Sequence, residues 1–314
     1  MGGQGKETNR SGRNLGLIIG FVLLWNSGFI GAEYGLPYAG VFSLLFFRYV
    51  ALTVIIALYL FATKQSIRRP WSDVWPQMLI GVLAHGVWLS CALLSIDYGV
   101  PAGIVALVVA LQPLATGALS GLAVGEHTPW NRWLALMIGF SGVALPVVLR
   151  VDFENSSEVF AWFIPLGAVV AITIASLFQR RLHLTREGAG LSVPLTLLYQ
   201  SLATALAMAL PAIFLERLAV QWNPRFIGAL LWLVLAVSLG AYSMMWILIE
   251  RIDATKVASL FYLGPPVTMA MAWLAFGDRV ELVDVIGMVL VLAGVLLTYV
   301  HASTEGSVSN NPAR

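Results

Sequence analysis

Runs of about 20 mainly apolar residues, the length that crosses a bilayer as a helix, divide this chain into ten segments. They fall at 15–33, 40–62, 76–96, 101–123 and 131–149, then at 160–179, 192–214, 226–249, 255–275 and 282–301. Short polar connections separate them. The first run is not a cleavable signal peptide: it exceeds a typical h-region, holds Trp25 and Asn26, and leads directly into a second span. Residues 1–14 and 302–314 are rich in Gly, Ser, Asn and charge, and are expected to be disordered tails with little to bury.

The ten runs are five runs written twice. Displaced by 152 residues without gaps, the sequence matches Ala51 with Ala203, Ala102 with Ala254, Ala106 with Ala258, Pro113 with Pro265, Gly125 with Gly277 and Gly142 with Gly294. An odd number of crossings per copy inserts the second copy upside down, which is the arrangement of alternating-access carriers. The expected fold is therefore an all-α integral membrane protein, ten transmembrane helices as two inverted five-helix repeats. Residues 15–150 would form the first repeat, 151–159 an outer linker and 160–301 the second repeat.

Composition narrows the function. Apolar residues make up 59% and charged ones 11%, with a mean hydropathy of +0.84, whereas soluble domains carry about 25% charge. A net charge of +2 without a basic stretch gives no basis for a nucleic-acid partner. Cys91, the single cysteine, excludes an internal disulfide and a thiolate metal cluster. The acids are scattered singly, with no Asp/Glu/His group at ligand spacing, so neither a metal nor a cofactor is expected and a membrane enzyme is disfavoured.

Lys and Arg set the orientation, because cytoplasmic loops carry their excess. With the amino terminus inside, 13 fall on the cytoplasmic side, including Lys64, Arg68, Arg69, Arg132, Arg180 and Arg181, and 4 on the outer side, Arg150, Arg217, Arg225 and Arg279. Both termini are expected in the cytoplasm.

Several motifs resemble those of a known family. They are Tyr98-Gly99-Val100-Pro101-Ala102-Gly103 followed by Ala110-Leu111-Gln112-Pro113 and Gly125-Glu126, and in the second copy Asp253-Ala254-Thr255-Lys256-Val257-Ala258, Pro265 and Gly277-Asp278. Together with Trp25-Asn26-Ser27 and Arg48 they resemble the drug/metabolite transporter superfamily and, within it, the EamA-type transporters. The resemblance spans residues 15–301. It implies ten helices in inverted repeats and movement of small metabolites, often export of amino acids or related compounds across a bacterial inner membrane.

Polar groups at membrane depth are the candidate site. His85, near the middle of the third run, either packs as a neutral imidazole or lines a cavity, where its ordinary pKa of about 6.5 suits proton coupling or a hydrogen bond to substrate. Arg48 either snorkels or supplies a positive pole for an acidic substrate; its counterpart in the second copy is Gln200. Pro113 and Pro265-Pro266 interrupt equivalent spans, either as plain kinks or as marks of the binding site with Gln112 beside them. Trp25, Asn26, Trp88, Tyr199, Tyr242 and Tyr262 lie inside spans and are further lining candidates, whereas Trp71, Trp75, Trp130, Trp133, Trp162 and Trp222 suit interfacial belts. Gly16 and Gly20, and Gly117, Gly121 and Gly125, recur every fourth residue and suggest close helix packing. Glu126 and Asp278 read as solvated acids past helix stops.

These features point to a secondary transporter for a small amphipathic metabolite, an amino acid or related carboxylate, most simply an exporter. Its partners are that molecule and the lipid bilayer. A nucleotide-sugar or lipid-linked substrate, and a channel or scramblase, are the competing readings.

Overall fold

The computed structural model describes residues 4–124, 130–151, 154–185, 191–252, 257 and 259–308. No strand occurs among them, and the one extended pairing is an isolated antiparallel bridge between Ala39 and Val220. Eight helices are long and apolar enough to cross a membrane: α1 Asn14–Tyr38, α2 Val41–Ala62, α3 Trp71–Asp97, α4 Ala102–Gly121, α5 Arg132–Arg150, α6 Val159–Leu182, α7 Val193–Phe214 and α8 Pro224–Arg251. Two shorter apolar helices follow, α9 Phe261–Phe276 and α10 Leu282–Leu297. The ninth apolar run is described at residue 257 and from residue 259 onward, and Glu126 and Asp253 lie outside the described residues. Helical backbone also extends into both polar ends of the chain, from Gln4 and to Val308.

Local chemistry sets where helices start and stop. Asn223 precedes Pro224, and its side-chain oxygen accepts from the Phe226 N–H at 2.9 Å, so α8 opens with a capped first turn and a proline whose missing N–H costs nothing there. The start of α2 lacks a local cap, since Gly40 has no side chain. Instead the Glu216 carboxylate, from the connection after α7, accepts from the Phe42 and Ser43 N–H groups at 3.0 and 2.7 Å. A negative charge at this end also suits the helix dipole. Gly277 ends α9 at φ +78, a conformation that costs other residues a steric penalty. Asp278 beyond it is not freely solvated: its Oδ2 is buried without a hydrogen-bond partner.

The side chains turned outward are as apolar as those turned in. Leu58, Phe61, Leu210, Phe214 and Leu296 are all more than half exposed, an arrangement that water would not tolerate and lipid does. Trp71, Trp130 and Trp222 are exposed near helix ends, as belt residues should be. Trp162 departs from that expectation and packs in the core.

Packing is most extensive between α5 and α10 and between α2 and α7, with α3 against α6, α1 against α8, and α4 against α9. The closest approaches occur at glycines, but not at the four-residue spacings. Gly16 and Gly117 face open space, whereas a Cβ on Gly142 would fall 2.6 Å from the Gly287 carbonyl oxygen. A Cβ on Gly81 would meet the Gln200 backbone at 2.5 Å. At the α5–α10 end, Arg150 pairs with buried Asp284 and lies 3.4 Å from the Glu281 carboxylate.

Gly142→Val should force α5 and α10 apart and cost about 1–3 kcal/mol, the usual range for overpacking. Gly117→Ala should leave stability unchanged or slightly raised. Thermal unfolding of both variants in detergent checks the contrast.

Candidate functional site

Four helices, α1, α2, α3 and α8, part around a cavity with about 510 Å³ of atom-free space, including its open mouth. Trp25, Gly28 and Phe29 reach it from α1, Arg48 and Tyr49 from α2, His85, Trp88, Leu89 and Leu93 from α3, and Val237 and Tyr242 from α8. A smaller void, lined by Leu52, Leu197, Ser201 and Ser238, lies against the same Tyr49, His85 and Tyr242. These three side chains thus form a shared layer between the two spaces.

Arg48 is buried, at 6% exposure. Its Nε and Nη2 donate to the Ser238 hydroxyl at 3.1 and 3.0 Å, and its guanidinium lies 5.6 Å from the centroid of the Tyr49 ring. A guanidinium has five N–H donors and keeps its charge in any protein setting, so one hydroxyl leaves most of it unsatisfied. Among the described residues no carboxylate comes within ion-pair distance of it, whereas Arg150 has two.

His85 sits between aromatic rings, 5.7 Å from Tyr49 and 6.0 Å from Tyr242, centroid to centroid. Its Nε2 is 3.2 Å from Gln200 Oε1, and Gln200 Nε2 donates onward to Gln77 Oε1 at 3.1 Å. Thr204 donates to the Gly81 carbonyl of α3 at 2.9 Å and Tyr199 donates to the Ile67 carbonyl in the connection before α3, so α7 is held both to α3 and to the segment leading into it. Trp88 Nε1 is buried with no acceptor. Trp25 completes the wall, its ring 5.3 Å from that of Tyr242.

Two of the helices that turn polar groups toward this region are locally wound as π-helix, at Val82–Val87 in α3 and Trp232–Ala241 in α8. π segments are rare and gather at functional sites. Shifted by 152 residues the first falls inside the second, and they carry His85 and Ser238 respectively. This was not anticipated from the sequence. The available cue was the pair Gly86 and Ser238, small or polar residues at matching positions of two otherwise apolar runs.

The other candidates are elsewhere. Asn26 donates to the Val22 carbonyl at 2.7 Å and accepts from Thr268 at 3.2 Å, which joins α1 to α9. Gln112 Nε2 is 3.4 Å from Ser176 Oγ, between α4 and α6. Gln200 stands behind His85, and Tyr262 packs half-buried against the core in a 3-10 turn, Phe261–Leu263. The helix of α4 is interrupted between Val109 and Gln112, just before Pro113, and that of α9 starts anew at Gly264, with Pro265 and Pro266 in its first turn. The prolines lie at equivalent breaks but outside the lining of the large cavity.

A description of the EamA-like transporter family matches residues 13–148 and 159–300, nearly all of both halves. The chain belongs to the EamA-like transporter family. Like its relatives, this EamA-like protein is a multi-pass membrane transporter. It is 28% identical to an "uncharacterized transporter" of Archaeoglobus fulgidus over 88% of this chain and 94% of that one. It is 25% identical to a "probable terminal-alkyne amino-acid exporter" of Streptantibioticus cattleyicolor, over 88% and 90%. With a "probable amino-acid metabolite efflux pump" of Escherichia coli it shares 24% identity over 68% and 72%. A solved crystal structure overlays with a TM-score of 0.64 at 18% identity, covering 93% of this chain and 98% of that one, a likeness of fold. The family and these names indicate a transporter rather than an enzyme.

Gln200→Leu should strand the His85 and Gln77 groups that its amide now satisfies, and cost about 1–3 kcal/mol. Trp88→Phe deletes a donor that has no acceptor and should leave stability unchanged or raised. Melting temperatures of the two variants, measured side by side, check the opposite signs.

Proposed function

We propose that the protein exports a small amphipathic carboxylate, an amino acid or a related acid, by alternating access between two inverted five-helix repeats. The observation that carries this reading is Arg48: a charged side chain at membrane depth, lining a cavity, without a carboxylate partner among the described residues. Intramembrane charges of this kind normally face a pathway or its ligand. A carboxylate would take the unused guanidinium donors in a bidentate, charge-assisted contact. Trp88 Nε1 is a further donor in the same wall, and Trp25, Phe29 and Leu93 would cover an apolar side chain.

The packing pattern supports the inverted repeat. If α1–α5 correspond to α6–α10, then α2–α7, α4–α9 and α5–α10 are self-related pairs, while α1–α8 and α3–α6 exchange with one another. The exchange is unequal in one place. α3 and α7 meet closely at Gly81 and Gln200, whereas their counterparts α8 and α2 touch only lightly beside the cavity. With both termini in the cytoplasm, the sealed pair is on the cytoplasmic side and the cavity opens outward, in the membrane that encloses the cytoplasm. Export is favoured by the relatives named as an exporter and an efflux pump.

In proteoliposomes the protein should give saturable, counterflow-competent exchange of a carboxylate, which a channel does not. Arg48→Gln should raise its half-saturation concentration about tenfold or more, the factor equivalent to 1.4 kcal/mol; unchanged affinity rejects the site. Tags at the two ends of the chain should report the same face of the membrane, and opposite faces reject the inverted repeat.

A further inference from the structure

The charge inventory of the cavity says more than that an acid fits. Among its lining residues Arg48 alone carries a formal charge. The remaining polar groups, on Tyr49, His85, Trp88 and Tyr242, are neutral hydroxyl, imidazole and indole. The described acids nearest this region are engaged elsewhere or lie outside the lining: Glu216 caps α2, Asp284 pairs with Arg150, and Glu33, about one turn beyond Phe29 on α1, is not among the lining residues. The empty site is therefore a single positive charge inside a medium of low dielectric constant. A ligand of net charge −1 makes the filled site neutral. A zwitterion leaves it at +1, and holds its ammonium a few ångströms from the guanidinium that binds its carboxylate. At such distances, away from bulk water, like charges repel strongly. The usual remedies for an ammonium are a carboxylate or an open aromatic face. No lining carboxylate is present, the Tyr49 ring already lies beside the Arg48 guanidinium, and the Tyr242 ring is flanked by Trp25 and His85; the remaining aromatic walls, Trp25, Phe29 and Trp88, would attract an ammonium without neutralising it.

We infer that the cavity selects monoanionic carboxylates whose α-substituent is uncharged, a keto oxygen, a hydroxyl or an acylated nitrogen, over the zwitterionic amino acid with the same side chain. This rests on the carboxylate reading of the site and narrows it. Names of relatives would point to the free amino acid, so the two expectations separate cleanly.

The test uses the purified full-length protein in detergent at pH 7.5 and follows thermal unfolding against ligand concentration. One series is leucine, N-acetylleucine and 4-methyl-2-oxopentanoate; the second is phenylalanine, N-acetylphenylalanine and phenylpyruvate. In at least one series the two anions are expected to stabilise at concentrations about tenfold or more below the zwitterion, a difference easily read from such titrations. Arg48→Gln should abolish that advantage and Arg48→Lys, which keeps the charge, should retain it. An amino acid that matches or outperforms its own anionic derivatives overturns the inference while leaving a carboxylate site in place. An advantage that survives in Arg48→Gln also overturns it, because the lone cation is then not the selector. Should none of the acids stabilise either the wild type or Arg48→Lys, the carboxylate site itself falls, and the inference with it. If Arg48→Gln does not fold, the wild-type ranking of anion against zwitterion still decides.

Discussion

In hydrocarbon an unpaired backbone N–H or C=O costs several kcal/mol, and nothing outside the chain can relieve it. That single penalty accounts for the uniformly helical backbone, and it also gives meaning to each place where regular helix fails. The breaks before Pro113 and Pro265, and the π segments at Val82–Val87 and Trp232–Ala241, each keep residues inside the protein, among them Leu111, Pro265, His85 and Ser238. A π turn shifts every later side chain around the helix axis. It is thus a means of aiming His85 and Ser238 where an unbroken α-helix with the same residues would aim others.

The same solvent makes charge scarce, so a charge that is present does more. Arg150 and Asp284 neutralise one another at the end of α5, and together with Glu281 hold α5 to α10. Glu216 uses its charge to close the start of α2, the helix that carries Arg48, and ties that helix to the connection after α7. Arg48 has only a serine hydroxyl. A carrier gains from such incompleteness: a fully satisfied guanidinium would lock α2 to α8, whereas an incompletely satisfied one makes closure of the site depend on what arrives. On the other side of the Tyr49, His85 and Tyr242 layer, the chain His85–Gln200–Gln77 is complete, and the helices there are shut.

Much of the architecture was legible in the runs of apolar residues, because a bilayer imposes one length and one hydrogen-bonding solution on each crossing. The equivalence of Pro113 and Pro265 was legible too, since proline removes a donor wherever it stands. Arg48, His85, Trp25, Trp88 and Tyr242 were found from depth alone. Depth could not separate them from Asn26, Gln112, Tyr199 and Tyr262, which share their depth but are turned to other neighbours. A helix apolar on every side offers no amphipathic stripe by which to tell its cavity face from its packing face. Tyr49 and Ser238 went unnoticed for the same reason. The glycine spacings were an uneven guide: Gly20 packs against Met244, but Gly16 and Gly117 keep the same period and face open space, while Gly142 and Gly287, with no periodic signal, bring two helix backbones together.

The sequence by itself determined that this chain lives in a membrane, where its helices run and that its two halves are alike, since these follow from residue type and spacing against a uniform solvent. Tertiary structure alone decided which polar groups are spent on one another and which remain free. That depends on the rotation of each helix and on local π winding, which are set by contacts between residues more than a hundred positions apart, such as His85 with Gln200 and Arg48 with Ser238.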